Sequence, residues 1–284
     1  MSQFFFTKLS GAGNDFVLFD MKLNPDLGLN PHLICKFCDR RSGIGADGVI
    51  LFNDSEKLTF EMTYYNADGS TGSLCANGAR CSLQYAFSTN RIGRSRIRFK
   101  ANGMEYQGEV LEDGLIKFFL NPPQKLKERF KIKAAEQLIT ASFINTGSPH
   151  VVIKISDVLQ NPKNPASNNY SLNDFPVNKV GNEIRYSKDF EPDGTNVNFI
   201  EIVEGKIKIR TYERGVEDET LACGTGSVGA AIISFLQDKL IPPLRIIPKS
   251  GEELIVDFKF EGNKINDLSL IGPAKIVYKG EILI

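Results

Sequence analysis

The sequence has no tryptophan, two histidines and no net charge, since 34 Lys and Arg residues balance 34 Asp and Glu residues. A chain without excess positive charge offers no electrostatic footprint for nucleic acid or for an anionic membrane surface. A pair of histidines nearly excludes a multi-histidine metal site. We therefore expect no metal and no nucleic-acid partner.

Long hydrophobic runs are also missing. No apolar stretch approaches the roughly 20 residues that a membrane-spanning helix needs. The first residues include Phe4, Phe5 and Phe6, but they lack the apolar run and the small-residue cleavage site of a secretory signal. The sequence therefore predicts a cytoplasmic protein without a membrane partner.

Cysteine is scarce, and its odd count of five predicts free thiols rather than a disulfide framework. Cys35 and Cys38 form a C-x-x-C pair, which can indicate zinc or redox chemistry. No second such pair and no histidine pair accompanies it, and cysteine is a common buried residue. We therefore interpret Cys35 and Cys38 as packing residues.

The length of 284 residues allows two domains of about 140 residues each. Short apolar runs between Gly, Asn and Asp turns predict many strands. Helices are predicted after the Asn30-Pro31 start, over 77–87 and over 226–236. The Asn121-Pro122-Pro123 break predicts a domain boundary, and a polar, lysine-rich segment follows it.

The most informative segments are Leu74–Arg80 and Ala222–Val228. Each places a cysteine, Cys75 or Cys223, just before a small, glycine-containing turn that opens a helix. Unpaired N–H groups and the helix dipole at such a position favour the thiolate and so lower the cysteine pKa. The same N–H groups can hold a carboxylate. Two such sites suggest two halves of one catalytic centre.

The similarity of the two halves extends beyond the cysteines. Loops rich in Gly with Asp or Asn, at 43–48 and 194–198, precede the cysteines at matching distances. A polar residue, Asn66 or Glu213, then precedes each cysteine. Two similar domains that face each other would bring both cysteines to one cleft.

Inversion of a carbon that carries hydrogen, amine and carboxylate is chemistry that suits two opposed thiols. One group removes a proton from one face and the other delivers a proton to the opposite face. The α-proton is a very weak acid, so the developing carbanion needs fixed positive dipoles on the carboxylate, which two helix N-termini supply. Nothing in the sequence indicates a pyridoxal phosphate site.

Other functions stay open at this point. A nucleophilic cysteine enzyme with His150 as base explains one cysteine and leaves the duplication unused. A thiol redox sensor would use a Cys75–Cys223 disulfide as its functional event. Another cofactor-independent racemase would use the same two thiols on a different amino acid.

Several segments together resemble the diaminopimelate epimerase family over essentially the whole chain. They are Gly11-Ala-Gly-Asn-Asp-Phe16, Asn66-Ala-Asp-Gly-Ser70, Cys75-Ala-Asn-Gly-Ala-Arg80, Glu213-Arg-Gly215, Ala222-Cys-Gly-Thr-Gly226 and Gly272-Pro-Ala274.

The resemblance implies an isomerase that interconverts LL- and meso-diaminopimelate without a cofactor, for lysine and cell-wall precursor synthesis, and usually as a homodimer. It implies an α/β (α+β) fold of two pseudo-symmetric domains, each a curved, mostly antiparallel sheet around a central helix, with the active site between them. The domains would comprise residues 1–121 with 272–284, and residues 122–271.

The resemblance also implies roles for individual residues. Cys75 and Cys223 would act as base and acid and exchange these roles with direction, while His150 and Glu213 assist their proton transfers. The remaining substrate-binding residues would be Asn14, Asn66, Ala76, Asn77, Gly78, Asn196, Arg214, Gly224 and Thr225, with Glu213 also in contact with substrate.

The chain departs from the family pattern at several positions. Ala76 replaces a glycine, Ser148 replaces an asparagine before Pro149-His150, and Gly48 replaces a glutamine. The loop from Glu213 to Thr220 is one residue longer than the common pattern. Ala76 fits only where its backbone angles suit a residue with a Cβ. Ser148 is expected to lose one substrate hydrogen bond or to make it through water.

Overall fold

The computed structural model of the protein describes residues 2–71, 74–164, 166 and 169–284. The chain forms two compact units. The first unit comprises the chain up to Leu120 together with Ser269–Ile284, and the second unit comprises Asn121–Leu268. Both contain many strands and few helices, so the α+β class predicted from the sequence is confirmed.

The helices are, in chain order, α1 (Pro31–Cys38), α2 (Ala76–Ser88), α3 (Val177–Arg185) and α4 (Gly224–Asp238). The strands are, in chain order, β1 (Gln3–Gly11), β2 (Asn14–Asp20), β3 (Gly48–Asp54), β4 (Phe60–Asn66), β5 (Ile97–Ala101), β6 (Met104–Val110), β7 (Ile116–Phe119), β8 (Gln124–Ala134), β9 (Gln137–Asn145), β10 (Pro149–Lys154), β11 (Asn196–Val203), β12 (Lys206–Glu213), β13 (Asp218–Thr220), β14 (Leu244–Ile247), β15 (Leu254–Glu261), β16 (Lys264–Gly272) and β17 (Lys275–Leu283).

The first unit is built on the strand order β17-β1-β2-β3-β4-β5-β6-β7-β16. The pairs β2–β3 and β4–β5 are parallel, and the other pairs are antiparallel. A parallel pair needs a crossover connection. The crossovers carry α1 between β2 and β3 and α2 between β4 and β5.

The second unit repeats this scheme, with the order β8-β9-β10-β11-β12-β14-β15. Here β10–β11 and β12–β14 are the parallel pairs, and their crossovers carry α3 and α4. The short strand β13 returns as a hairpin beside the end of β12. In both units two antiparallel pairs are followed by a parallel, an antiparallel, a parallel and an antiparallel pair, which confirms the internal repeat predicted from the sequence.

The central helices α2 and α4 are buried along most of their length. Small residues let the strands approach them closely. A Cβ at Gly226 would lie 2.3 Å from Asn198 Oδ1, and a Cβ at Gly108 would lie 2.3 Å from Leu83 Cδ1. A helix that is buried on all sides needs a small residue, on the helix or on the strand, wherever a strand crosses it closely.

Strands β8 and β13 and helix α3 of the second unit were not predicted. Strand β8 lies in the lysine-rich segment and is exposed over most of its length, so it lacks the apolar alternation of a half-buried strand. Charged side chains of this kind are typical of a sheet edge. Helix α3 buries only Val177, Val180, Gly181 and Ile184, and its remaining residues are polar.

Candidate active site

In the first unit, Cys75 is the N-cap residue of α2, with φ −101° and ψ 99°. The backbone N–H of Gly78 donates to its sulfur at 3.3 Å. The first turn of α2 contains no acidic residue, so its positive end is not neutralised. The helix start therefore presents a half-buried sulfur beside the N–H groups of Ala76, Asn77 and Gly78.

Ala76 occupies the first helical position of α2 and is buried. It is not among the residues with positive φ, so its backbone suits a residue with a Cβ. The replacement of glycine therefore leaves the N–H group of this position in place.

Two asparagines connect this helix start to the neighbouring strands. Asn77 Nδ2 donates to Asn14 Oδ1, and Arg80 Nη2 donates to Asn77 Oδ1 at 2.9 Å. Asn14 Nδ2 donates in turn to Asp47 Oδ2 at 3.1 Å. Asn14 is thus fixed between the helix start and a carboxylate.

A cluster of charged side chains surrounds Asp47. Arg40 bonds both Asp47 and Asp15, each at 2.7 Å, and Lys8 contacts Asp15 at 2.7 Å. Burial disfavours the charge on Asp15, but the hydrogen bonds from Arg40 and Lys8 outweigh it, and the pKa of Asp15 is lowered. These ion pairs favour the charged form of Asp15, and Arg40 holds Asp47 beside Asn14.

Asn66 ends strand β4, and Gly48 pairs with it at the start of β3. Asn66 Nδ2 donates to Ser70 Oγ at 3.0 Å within the Asp-Gly turn. A Cβ at Gly48 would lie 2.5 Å from the Tyr64 ring and 2.5 Å from Tyr65 O. Position 48 therefore has no room for a glutamine, and it offers backbone atoms alone.

In the second unit, Cys223 is the N-cap residue of α4, with φ −117° and ψ 110°. It is buried, and its sulfur lies 3.7 Å from Thr225 Oγ1. Gly224 and Thr225 begin the helix, and the first turn again contains no acidic residue. Thr146 Oγ1 donates to Thr225 O at 2.8 Å and fixes this turn against the loop before β10.

His150 lies on β10 and is fully buried. Its Nε2 is 2.9 Å from Thr225 Oγ1, and its Nδ1 is 3.2 Å from Asn198 Nδ2. Burial, with a smaller contribution from the Arg214 charge, lowers the pKa of His150 to about 3. His150 is therefore neutral at physiological pH, and it is a poor base for a Cys–His nucleophilic mechanism.

Asn196 starts β11 and joins two loops. Its Nδ2 donates to Ser148 Oγ at 3.0 Å and to Pro149 O at 2.8 Å. Its Oδ1 accepts from the backbone N–H of Arg214 at 2.9 Å. Ser148 thus serves as an internal acceptor: Asn196 uses both amide hydrogens on the Ser148–Pro149 loop and its amide oxygen on the backbone of Arg214.

Glu213 is the last residue of β12, and Arg214 follows it. Arg214 Nη1 donates to Asp193 O at 3.1 Å, and Arg214 lines a cavity of about 660 Å³ that also contacts Lys127, Phe190 and Asn145. Glu213 Oε2 accepts from Thr220 Oγ1 at 2.9 Å across the β12–β13 hairpin. A guanidinium in this position can hold a carboxylate through two parallel bonds.

Of the cysteines outside these helix starts, Cys38 and Cys81 are buried. Burial raises the pKa of Cys38 to about 12 and also raises the pKa of Cys81. Cys35 of the C-x-x-C pair is exposed on α1, so the interpretation of Cys35 as a packing residue is wrong, whereas that of Cys38 is confirmed. Across the part of the chain that the structure describes, no group of three or more His, Cys, Asp or Glu side chains could hold a metal ion.

The sequence analysis missed Asp47, Asn198 and the hydroxyl group of Thr225. The available signal was the strand period: Asn198 lies two residues after Asn196 on β11, so both side chains point to the same face. Among the described residues, no helix combines the length and apolar character needed to cross a membrane.

The family model described as diaminopimelate epimerase matches residues 6–126 and 142–277. The chain is 39% identical over 277 residues to the diaminopimelate epimerase of Chlorobaculum tepidum, covering 96% of this chain and 99% of that protein. It is 37% identical over 289 residues to the diaminopimelate epimerase of Aquifex aeolicus, covering 98% of this chain and 97% of that protein.

Solved structures share the fold at lower identity. A phenazine biosynthesis protein of the PhzF family from Bacillus anthracis aligns with a TM-score of 0.73 at 14% identity, covering 100% of both chains. A hydroxyproline epimerase from Agrobacterium vitis, with bound trans-4-hydroxy-L-proline, aligns with a TM-score of 0.71 at 12% identity, covering 99% of this chain and 92% of that one.

Proposed function

Because the chain belongs to the diaminopimelate epimerase family, we propose that it interconverts LL- and meso-diaminopimelate by proton transfer at the α-carbon between two cysteine thiols, Cys75 and Cys223. One observation carries this proposal: both cysteines begin a central helix at the same place in a duplicated topology. No pyridoxal phosphate takes part.

In the proposed mechanism, one cysteine as thiolate removes the α-proton and the other as thiol delivers a proton to the opposite face. The cysteines exchange these roles when the reaction runs in reverse. The first-turn N–H groups of α2 and α4 hold the α-carboxylate, so their fixed dipoles stabilise the negative charge that develops during proton removal.

The remaining site residues receive roles that fit their contacts. Asn14 and Asn66 bind substrate from the first unit, and Arg214 binds the distal carboxylate from the second unit. Asn196 acts mainly by fixing the backbone of Arg214. His150 and Glu213 assist the proton transfers as hydrogen-bond partners. The proposed functional halves are residues 1–121 with 272–284, and residues 122–271.

The decisive experiment incubates the purified protein with LL-diaminopimelate in deuterated water without pyridoxal phosphate. We expect meso product that carries deuterium at the inverted α-carbon. The absence of both product and deuterium would refute the proposal. Proline and trans-4-hydroxy-L-proline run in parallel identify a racemase of another specificity, which would exchange them faster than diaminopimelate.

The redox-sensor alternative is separated from the enzyme by a variant. Cys75→Ser in a fully reducing buffer should lose epimerisation, because acid–base chemistry needs the thiol itself. A sensor that works through a disulfide would show no diaminopimelate turnover in either form.

We also propose that the protein acts in the cytoplasm as a homodimer and supplies meso-diaminopimelate for lysine and peptidoglycan precursor synthesis, as the family implies. Light scattering should give twice the mass of the 31.5 kDa chain. A mass equal to one chain at micromolar concentration would refute the dimer.

A further inference from the structure

Asn198 on β11 is fully buried below the first turn of α4. Its amide has a defined orientation, because Nδ2 lies 2.9 Å from the carbonyl oxygen of Val151, which can only accept. Its Oδ1 accepts a hydrogen bond from Thr211 Oγ1 at 3.0 Å. These contacts fix the amide independently of His150.

The orientation of Asn198 determines the tautomer of His150. A donor faces Nδ1 at 3.2 Å, so Nδ1 must present its lone pair and the ring proton must reside on Nε2. Nε2–H then donates to Thr225 Oγ1 at 2.9 Å. A second proton on Nδ1 would oppose the Asn198 amide, which adds to the effect of burial in keeping the ring neutral.

The hydroxyl of Thr225 is the next group in this chain of hydrogen bonds. Since its oxygen accepts from His150, its single hydrogen is available to the Cys223 sulfur, 3.7 Å away. A hydroxyl that donates to sulfur favours the thiolate over the thiol.

We propose that Asn198 is a positioning residue for the reaction: by fixing the tautomer of His150, it directs the Thr225 hydroxyl hydrogen to Cys223 and favours the thiolate there. The proposal rests on the proposed function, because it takes Cys223 as one of the two acid–base groups. Asn198 acts through His150 and Thr225 and does not contact the substrate.

The first test is the ¹⁵N NMR spectrum of histidine-labelled protein. The chain has two histidines, and His32 is exposed on α1. In the His32→Gln variant, all histidine signals therefore come from His150. We expect the proton on Nε2 in the protein with native Asn198. A proton on Nδ1 would overturn the proposal without any need for a site variant.

The second test uses Asn198→Asp, which keeps the side-chain shape but places an acceptor opposite Nδ1. We expect the proton of His150 to move to Nδ1, so that Nε2 accepts from Thr225 and turns the hydroxyl hydrogen away from Cys223. Alkylation of Cys223 by iodoacetamide at neutral pH, resolved by peptide mass spectrometry, should slow about tenfold, and its apparent pKa should rise. Cys75 in the same sample is the internal reference.

The matched control is Thr211→Val, which removes the hydrogen bond to Asn198 Oδ1 but leaves the contacts of Asn198 with Val151 and His150. It should retain the Nε2 proton and the native alkylation rate of Cys223. Equal losses in both variants would show a merely structural role for Asn198 and would overturn the proposal. Native tautomer and native Cys223 reactivity in Asn198→Asp would overturn it as well.

Kinetics with diaminopimelate complete the design. Asn198→Asp should lower kcat about tenfold with little change in KM, because substrate contacts are intact. The NMR and alkylation readouts need no substrate. A failure of deuterium exchange in the native protein, together with the expected tautomer and alkylation changes, would therefore refute the proposed function and support the role of Asn198.

Discussion

The two units place a cysteine at the same point of the same topology but surround it with different polar groups. In the first unit a backbone N–H of Gly78 donates to Cys75, and the nearby network ends in the ion pairs of Arg40 with Asp47 and Asp15. In the second unit Cys223 is followed by a chain of hydrogen bonds through the Thr225 hydroxyl, the neutral His150 imidazole and the Asn198 amide. The two units thus share the backbone arrangement around the cysteine but differ in the polar side chains near it.

This difference has a chemical reason in the proposed reaction. In the proposed mechanism both helix starts need the same N–H groups, because each is proposed to bind the α-carboxylate of the substrate. The proposal assigns the two sulfurs to opposite faces of a carbon whose other substituents differ, so their surroundings need not match. The comparison leads to four predictions, ordered from the largest expected effect to the smallest.

The largest effect is expected for Cys75→Ala and Cys223→Ala. Each removes one of the two acid–base groups, so epimerisation should fall by at least about 10³-fold in either variant. Formation of meso product in the deuterium assay measures this loss, with circular dichroism as the control for folding. Retention of a tenth of the activity in one variant would show that its cysteine is not part of the pair.

Glycines three residues after each cysteine give a matched pair of variants. Gly226→Ala would put a Cβ 2.3 Å from Asn198 Oδ1, whereas Gly78→Ala meets nothing closer than Ile50 Cδ1 at 3.4 Å. We expect Gly226→Ala to destabilise the protein by about 1–3 kcal/mol and Gly78→Ala to change stability by less than about 1 kcal/mol. Urea unfolding measures both, and equal effects would contradict the closer packing of α4.

Lowering the pH should lower the free energy of unfolding, because His150 resists protonation in the folded state. Its pKa of about 3 in the folded state lies below the usual 6.5, so the folded state resists protonation and stability is complete only above pH 6.5. Between pH 6.5 and 5 the free energy of unfolding should fall by about 2 kcal/mol from this residue. His150→Gln should lose this dependence, and His32→Gln should keep it. An identical pH profile in His150→Gln would refute the assignment.

The smallest effect is expected at the charged cluster of the first unit. Arg40 is 59% exposed in its ion pairs with Asp15 and Asp47, so solvent screens much of its contribution. Arg40→Ala should cost less than about 1 kcal/mol, and the loss should shrink in high salt. The cost of Thr211→Val in the neutral network of the second unit should not depend on salt. A salt-independent loss in Arg40→Ala would contradict the contrast between the units.

Local signals in the sequence predicted both helix starts, because a small-residue turn after a cysteine defines an N-cap without help from distant residues. The predicted helices 77–87 and 226–236 lie within α2 and α4. Strand β8 escaped prediction, since an exposed edge strand carries no apolar alternation.

The side-chain hydrogen-bond networks could not be predicted from the sequence, because their members lie far apart along the chain. The contact of Asn198 with His150 joins residues of two parallel strands, and Thr225 meets them from the helix between β12 and β14. Likewise, the sequence shows that Gly48 replaces a glutamine of the family pattern, but only the structure shows that the Tyr64 ring and Tyr65 O occupy the space a side chain would need.

The sequence by itself determined the duplicated cysteine–helix starts, the many-stranded α+β class and the family, because these depend on local turn chemistry and on periodicity. The tertiary structure alone decided which polar side chains surround the sulfur atoms of Cys75 and Cys223. Hydrogen bonds between strands depend on register and on the parallel pairing of β10 with β11, and these bring His150 opposite Asn196 and beside Asn198.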